Sequence, residues 1–441
     1  MSFPRYNRYK ESGVEWLGEV PEGWRLPKIK HFTQFSGGGT PSRENLDYWN
    51  GNIPWVSPKD MKTESIEGAE EFITESGLGN SSSTLLPPGR VLMVVRSGIL
   101  KHTIPVAISK VSVSLNQDMK ALVFVEDSCL NSFFLRWVQG LNNLLLLAWA
   151  KQGATVESIE HAYLAETVMP LPPLTEQHAI AAFLDRETGK IDELVLEQER
   201  LIALLKEKRQ AVISEAVTKG LNPDVPMKDS GIEWLGVVPR HWAILKFQRL
   251  VDVAEGQVNP EEEPYSTMLL LAPNHIESGT GRLLMLETAK EQGAESGKYL
   301  CKVGDVVYSK IRPALRKVCV APDNCLCSAD MYPLRAHNGL TNQFLLWFIL
   351  SEPFSAFAVL ESDRVAMPKI NRESLKEVML AVPPIEEQSA IVDFLDIETA
   401  KIDSLVGEAR QAISLLKERR NALISAAVTG KIDVRNGEVP V

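Results

Sequence analysis

Cysteine is scarce in this sequence, and long apolar runs are missing from it. The five cysteines in 441 residues are Cys129, Cys301, Cys319, Cys325 and Cys327. An odd, sparse set is not a disulfide framework. The stretch "CVAPDNCLC" (Cys319 to Cys327) gathers three of them. It has no CxxC pair and no neighbouring HxxxH, which argues against zinc. Reduced thiols on short strands are the expectation. The longest apolar run, Leu144 to Ala150, is far too short for a bilayer span. The first residues, "MSFPRYNRYKESG", hold no apolar stretch of signal-peptide type. A cytoplasmic protein is expected.

Signatures of catalysis are missing too. No GxxxxGK[ST] occurs, so there is no P-loop. No glycine-rich strand-to-helix turn suits a nucleotide or S-adenosylmethionine. "SGGGT" at Ser36 runs into Pro41 and polar residues, and reads as a flexible turn. No [DNS]PP[YF] tetrapeptide of an amino-methyltransferase occurs; "PLPP" and "AVPP" have other flanks and simply precede helices. The seven histidines are scattered, with no metal-like pair, and no PD…(D/E)xK arrangement of a nuclease stands out. Together these absences favour a binding protein over an enzyme. A net charge of −10 argues weakly against a nucleic-acid partner. Net charge is a global sum, however, whereas binding uses local patches. The balance of 44% hydrophobic and 24% charged residues is ordinary for a soluble globular chain.

What the sequence does have is a repeat. "SGVEWLGEVPEGW" (Ser12 to Trp24) returns as "SGIEWLGVVPRHW" (Ser230 to Trp242), an offset of 218. "PPLTEQHAIAAFLDRETGKIDELV" from Pro172 returns as "PPIEEQSAIVDFLDIETAKIDSLV" from Pro383, an offset of 211. The second match continues through "LLKEKRQAVISEAVT" (Leu204 to Thr218) and "LLKERRNALISAAVT" (Leu415 to Thr429). Such a period is too long for a solenoid; it is a duplicated large unit. Between the matched frames similarity is faint. "PPGRVLMVVRSGILK" (Pro87 to Lys101) resembles "KVGDVVYSKIRPALRK" (Lys302 to Lys317), and "NQDM" at Asn116 resembles "SADM" at Ser328. Matched scaffolds with divergent inserts suggest two ligand surfaces held in one geometry.

The repeated long segments predict helices. Apolar residues fall at Ile180, Leu184, Ile191, Val195, Ile202, Leu205, Val212 and Ala216, and again at Ile391, Leu395, Ile402, Val406, Ile413, Leu416, Leu423 and Ala427. Steps of mostly three, four and seven make a coiled-coil seam. Thr175 suits an N-cap, and Gly220 and Gly430 suit helix ends. A helix of this length is a rod of about 65 Å, and the two rods satisfy each other most simply as an intramolecular antiparallel pair. The variable segments alternate short β-rich runs, such as "RVLMVV" and "DVVYSKI", with Gly, Pro, Asn and Ser turns. Each adds one amphipathic helix, near Asn131 to Ala150 and near Asn342 to Leu350. The expected fold is α+β: two mixed globular domains (1–172 and 221–383), two long helices (173–220 and 384–430) and a tail (431–441).

These motifs resemble the specificity subunit of Type I restriction–modification systems. The resemblance rests on "ESGVEWLGEVPEGW", on "SGGGTPSRENLDYWNGNIPWVSPKDM" (Ser36 to Met61) and on the twice-used P-P-x-x-E-Q-x-x-I-x-x-F-L-D, and covers essentially the whole chain. It implies two target recognition domains, each reading half of a split double-stranded DNA target. It also implies antiparallel helices that act as a ruler and dock two modification subunits. Those subunits carry the methyltransferase chemistry and the S-adenosylmethionine. Restriction subunits, with ATP and Mg²⁺, join to make the DNA-translocating nuclease. This chain itself is expected to bind no cofactor and no metal, to have no catalytic residue, and to contact no membrane.

Candidate DNA contacts follow from that reading, because phosphates and base edges demand donors. Arg96 and Arg312 occupy nearly matching positions just after a predicted strand. Ser97 and Lys101 flank the first; Ser309, Lys310, Arg316 and Lys317 flank the second. Near the helix approach lie Lys151, Gln152 and Thr155 in one copy, and Arg364, Lys369 and Asn371 in the other. "TPSREN" and "WVSPKD" add Ser42, Arg43, Ser57 and Lys59, with Trp55 read as core. The clusters Lys206 to Arg209 and Lys417 to Arg420 default to a solvated helix face. The alternative is a coiled-coil adaptor or scaffold that does not bind DNA.

Overall fold

The computed structural model describes residues 3–125, 128–362 and 368–435. It divides into two compact units, Met1–Gln198 with Gln411–Val441, and Glu199–Arg410. Both boundaries fall inside long helices, so each unit owns one variable segment and part of each helix.

In the first unit, eight strands make two sheets: β1 (Thr33–Gly37), β2 (Trp49–Val56), β3 (Ser65–Ile66), β4 (Phe72–Ile73), β5 (Val91–Val94), β6 (Val106–Ser109), β7 (Ser114–Leu115) and β8 (Met119–Phe124). One sheet has the order β1-β8-β5-β6-β3, the other β4-β2-β7. The apolar run "VLMV" becomes central strand β5, fully buried along its length, as a strand covered on both faces should be. The expected helix over 131–150 is two: α1 (Asn131–Gly140) and α2 (Asn142–Trp149). The break is held by Asn142, whose Oδ1 accepts the Ile104 N–H at 2.8 Å and whose Nδ2 donates to the His102 carbonyl at 3.3 Å. Gly140 lies against the second long helix, where a Cβ would come within 2.9 Å of Ile424 Cγ2 and of the Ser425 nitrogen. From Leu174 the chain runs as α3 (Leu174–Lys219).

In the second unit, besides two short two-stranded pairs, eight strands make two sheets: β9 (Val251–Val253), β10 (Gln257–Val258), β11 (Leu270–Leu271), β12 (Lys298–Cys301), β13 (Val306–Ser309), β14 (Val318–Val320), β15 (Cys325–Cys327) and β16 (Met331–Ala336). They form the sheets β9-β16-β13-β14 and β10-β12-β15-β11. Helix α4 (Asn342–Leu350) lies where the sequence predicts one, and α5 (Glu352–Ser362) follows it unpredicted. The last long helix is α6 (Ile385–Val428). Four of the cysteines sit on strands or at their ends; Cys129 precedes α1, and all five are buried and free.

The conserved look of the two frames has a physical cause. In each, "SG(V/I)EWLG" is the loop of a short hairpin, closed by Ser12 N–H to Gly18 O and by Ser230 N–H to Gly236 O, both at 3.0 Å. Its glycines take left-handed φ values, 71° and 64° at Gly13 and Gly18, 72° and 65° at Gly231 and Gly236, which favour glycine. The tryptophan after each hairpin is buried and donates its indole N–H to the glutamate of the E-Q pair: Trp24 to Glu176 at 3.0 Å, Trp242 to Glu387 at 2.8 Å. The neighbouring glutamine ties the helix start to the turn before the domain helix. Gln177 accepts from Leu130 N–H at 2.7 Å and Gln388 from Thr341 N–H at 2.9 Å. The repeated motif is thus a joint that seats each rod on its own domain.

Along the rods, none of the sixteen predicted seam residues is exposed. Gly220 and Gly430 follow the helix ends with φ of 76° and 74°. Thr175 is not the N-cap: α3 already begins at Leu174, and the Pro173 carbonyl accepts the Glu176 and Gln177 N–H groups, both at 2.9 Å. Within each unit the two helix segments are cross-linked by an ion pair, Arg420 with Asp192 at 2.9 Å in the first unit and Arg209 with Asp403 at 3.1 Å in the second. The basic clusters are therefore not wholly solvated. Arg209 is 7% exposed and also donates to the carbonyls of Gly279 and Thr280. The "KGLNPDVPMKD" connection (219–229) is folded into the second unit, where Met227–Asp229 pairs with Val237–Pro239.

Candidate nucleic-acid interface

In the first unit an open cleft of about 1130 Å³ lies where the loop after β5, the loops beside β2 and the 151–159 segment meet. The first and the last of these are joined by sheet geometry. Arg96 bridges Ser158 in antiparallel fashion, and the Ser97 N–H donates to Glu157 O at 3.0 Å. Among its lining residues the cleft collects Arg43, Ser57, Lys59, Arg96, Ser97, Lys151 and Thr155, residues far apart in sequence. Ser42, Lys101 and Gln152 are exposed but do not line it. Ser57 is buried, and its hydroxyl donates to Asp60 at 2.9 Å. Sequence reasoning missed Thr40, Glu71, Asn116, Gln117 and Asp118, which also line the cleft. The repeated "NQDM" was the available signal for the last three.

Three of the cleft's cations, Arg43, Arg96 and Lys151, are partnered. Arg96 Nε lies 2.5 Å from Asp118 Oδ1. Arg43 grips Glu71 through both Nη atoms, Nη2 at 2.9 Å. That contact raises the Arg43 pKa and holds the Glu71 carboxyl below its usual range. Lys151 is 3.9 Å from Glu160, and Lys101 is 4.0 Å from Glu157. Trp55 is core, 4% exposed, in a small cluster with Ile53 and Ile73. "SGGGT" is not a flexible turn. Gly39 N–H donates to Leu115 O at 2.9 Å, and a Cβ on Gly38 would fall 2.0 Å from Asn116 O, so close approach of two backbones requires glycine there.

The second unit repeats the plan with other chemistry. Lys310 N–H donates to Asp330 O at 2.9 Å, as Val95 N–H does to Asp118 O at 2.8 Å, and Ile311 bridges Lys369 as Arg96 bridges Ser158. Sheet register thus makes Ile311 the counterpart of Arg96, and Arg312 that of Ser97: the two arginines are one position out of step. Arg312 is exposed at φ 48° and, among the described residues, has no ion-pair partner; Lys369 is exposed beside it. Lys310 turns back to Ala329 O at 2.6 Å and lies 5.3 Å from the Tyr332 ring centroid. Three other predicted residues are engaged within the unit. Ser309 is buried, with its hydroxyl 3.2 Å from Ile311 O. Arg316 donates to Ser355 Oγ at 2.8 Å and pairs with Glu352. Lys317 donates to Pro273 O at 2.6 Å. Asn371 is a helix cap, accepting from Ser374 N–H at 2.7 Å. Arg364 lies outside the described residues. Arg372, set against the rings of Tyr299 and Tyr332 at 5.6 and 5.2 Å, went unnoticed in the sequence.

Two divergent mixed domains on a duplicated helical frame, with donors gathered at equivalent loops, define a bipartite recognition protein. The family model described as the Type I restriction modification DNA specificity domain matches residues 21–203 and 260–413. The chain belongs to that family, and has its two target recognition domains. It is 28% identical to the Type I restriction enzyme EcoDI specificity subunit of Escherichia coli, over 70% of this chain and 72% of that one. It is 36% identical to the Escherichia coli EcoR124I/EcoR124II specificity subunit over 40% of this chain and 42% of that one. Among solved structures, a chain from a study of complex assembly and conformational transition of the type I R-M system aligns at a TM-score of 0.68 and 17% identity, covering 93% of this chain and 98% of that one. The HsdS subunit from Thermoanaerobacter tengcongensis aligns at 0.51 and 16%, with 93% and 98% covered. These likenesses do not support the adaptor reading. No single helix among the described residues is long and apolar enough to cross a membrane.

Proposed function

We propose that each variable domain reads one half of a bipartite DNA target, and that the paired helices set the unread spacer and dock two modification subunits. This chain contributes recognition alone. Methyl transfer, with S-adenosylmethionine, belongs to the modification subunits; cleavage and translocation, with ATP and Mg²⁺, belong to restriction subunits; all of it takes place in the cytoplasm. The observation that carries this reading is the gathering of donors at equivalent strand-end loops of two domains whose frames match and whose loops do not. The strand-end loops around Arg96 and Arg312 would face DNA, with lysines and arginines reaching phosphates and base edges.

Methylome sequencing of cells with and without the gene tests it: one bipartite methylated motif should vanish with the gene. Exchange of residues 25–170 for those of a relative then tests modularity. The ends of that segment meet, Arg25 N–H donating to Leu171 O at 2.9 Å, so a swap keeps the frame. One half of the motif should change and the other persist. A swap that altered both halves, or neither, would count against modular reading.

A further inference from the structure

The side chain of Arg43 is fixed in the cleft from three sides. Its guanidinium carbon lies 3.8 Å from the Trp49 ring centroid and 5.0 Å from that of Trp55. The two indoles meet edge to face at 5.2 Å. Each ring is itself pinned by its N–H: Trp49 to Ser42 O at 3.0 Å, Trp55 to Gly39 O at 2.9 Å. Glu71 closes the third side with two hydrogen bonds. An arginine side chain normally loses much rotamer freedom on binding; here that freedom is already gone. Yet half of the side chain, 52%, remains exposed to the cleft.

The chemistry of this clamp selects its ligand. A phosphate approaching Arg43 would also approach the Glu71 carboxylate, and like charges repel. A neutral base edge meets no such penalty. The planar guanidinium offers further N–H donors beyond those used by Glu71, and two parallel donors match the O6 and N7 acceptors of guanine in the major groove. We propose that Arg43 is the guanine-reading residue of the first domain, with Trp49, Trp55 and Glu71 as the positioning residues that aim it. The proposal rests on the reading of this cleft as a DNA surface.

The test uses the complete complex of this chain with its modification subunits. With Arg43→Gln, the methylated motif in cells should become degenerate at one G·C pair of the half-site that the 25–170 exchange assigns to the first domain, the other half staying unchanged. In binding assays, 7-deazaguanine placed at each guanine in turn removes N7 and leaves the protein untouched. One position should weaken wild-type binding roughly 5- to 150-fold, and the Arg43→Gln complex should be indifferent to that same replacement. Because Glu71 already balances the arginine's charge, the salt dependence of binding should not flatten. An unchanged motif with Arg43→Gln, a first-domain half-site without guanine, or a salt slope reduced by about one with no base position altered would overturn the assignment of Arg43 alone. Absence of any methylated motif dependent on this gene would overturn the wider reading, and this one with it.

Discussion

Arg209 Nε lies 3.1 Å from Asp403 Oδ1, and the repeat offset of 211 carries this pair onto the other ion pair, Arg420 with Asp192. Each arginine belongs to one long helix and its aspartate to the other. The same register therefore holds in both units, as antiparallel pairing of duplicated helices requires. The arginine also reaches its domain, through the Gly279 and Thr280 carbonyls in one unit and through Glu64 at 3.7 Å in the other.

The two pairs should differ in weight. In the second unit the side chains are 8% and 22% exposed; in the first, 20% and 54%. Removing one partner of a buried pair strands the other charge. Asp403→Ala should therefore cost about 3 kcal/mol in denaturant unfolding, and Asp192→Ala less than about 1 kcal/mol. Equal losses would contradict this account of burial.

Arg96 and Arg312 should also part company. Arg96 is neutralised by Asp118 at 2.5 Å, whereas Arg312 is exposed and without an ion-pair partner among the described residues. In the complex, Arg312→Gln should weaken binding to all sequences and lower the salt slope by about one. Arg96→Gln should leave the slope unchanged and relax one base position. Titration of binding against salt for both variants decides the matter.

Spacer length should follow the helices and not the connection after them. Residues 219–229 are folded into the second unit, so an insertion there should damage that unit's packing. Equal heptad insertions after Gln198 and after Arg410 fall at the unit boundaries and preserve each unit's internal register. The methylated motif should keep both halves and gain unread base pairs between them. An active variant with an unaltered spacer would remove the helices from that role.

The thiols should be inert in the folded chain. All five are buried; burial pushes the Cys319 thiol up to about 12 and also raises Cys129. At pH 8 a thiol near 12 is ionised to about one part in ten thousand. Iodoacetamide labelling followed by mass spectrometry should find all five unmodified until the protein is unfolded. Fast labelling of any one would show an opening of the sheet or turn that covers it.

Much of the fold was legible in the sequence because it rests on local periodicity and on repetition. The 3–4–7 spacing marked the rods and their buried seam. The β-branched runs marked β5 and β13, and the duplicated hairpin, tryptophan and E-Q pair marked the joints. Individual environments were not legible, because they depend on what distant chain brings alongside. Phe183 and Phe394 are the same residue of the same repeat, yet one is 2% exposed and the other 37%. In the first unit Phe3 meets the Phe183 ring edge-on at 5.8 Å, and the Arg186 guanidinium lies over the same ring at 5.6 Å. In the same way, Arg209 and Arg420 read as members of solvated basic clusters until the partner helix and the domain loops enclosed them. Ser309, Arg316 and Lys317 read as donors facing outward, but hydrogen bonds within the second unit engage each of them. The cleft shows this most fully: the sequence named seven of its polar residues, and only the folding of the loop before β2, of β2 itself and of the chain entering β4 set Arg43 between two indoles and a carboxylate.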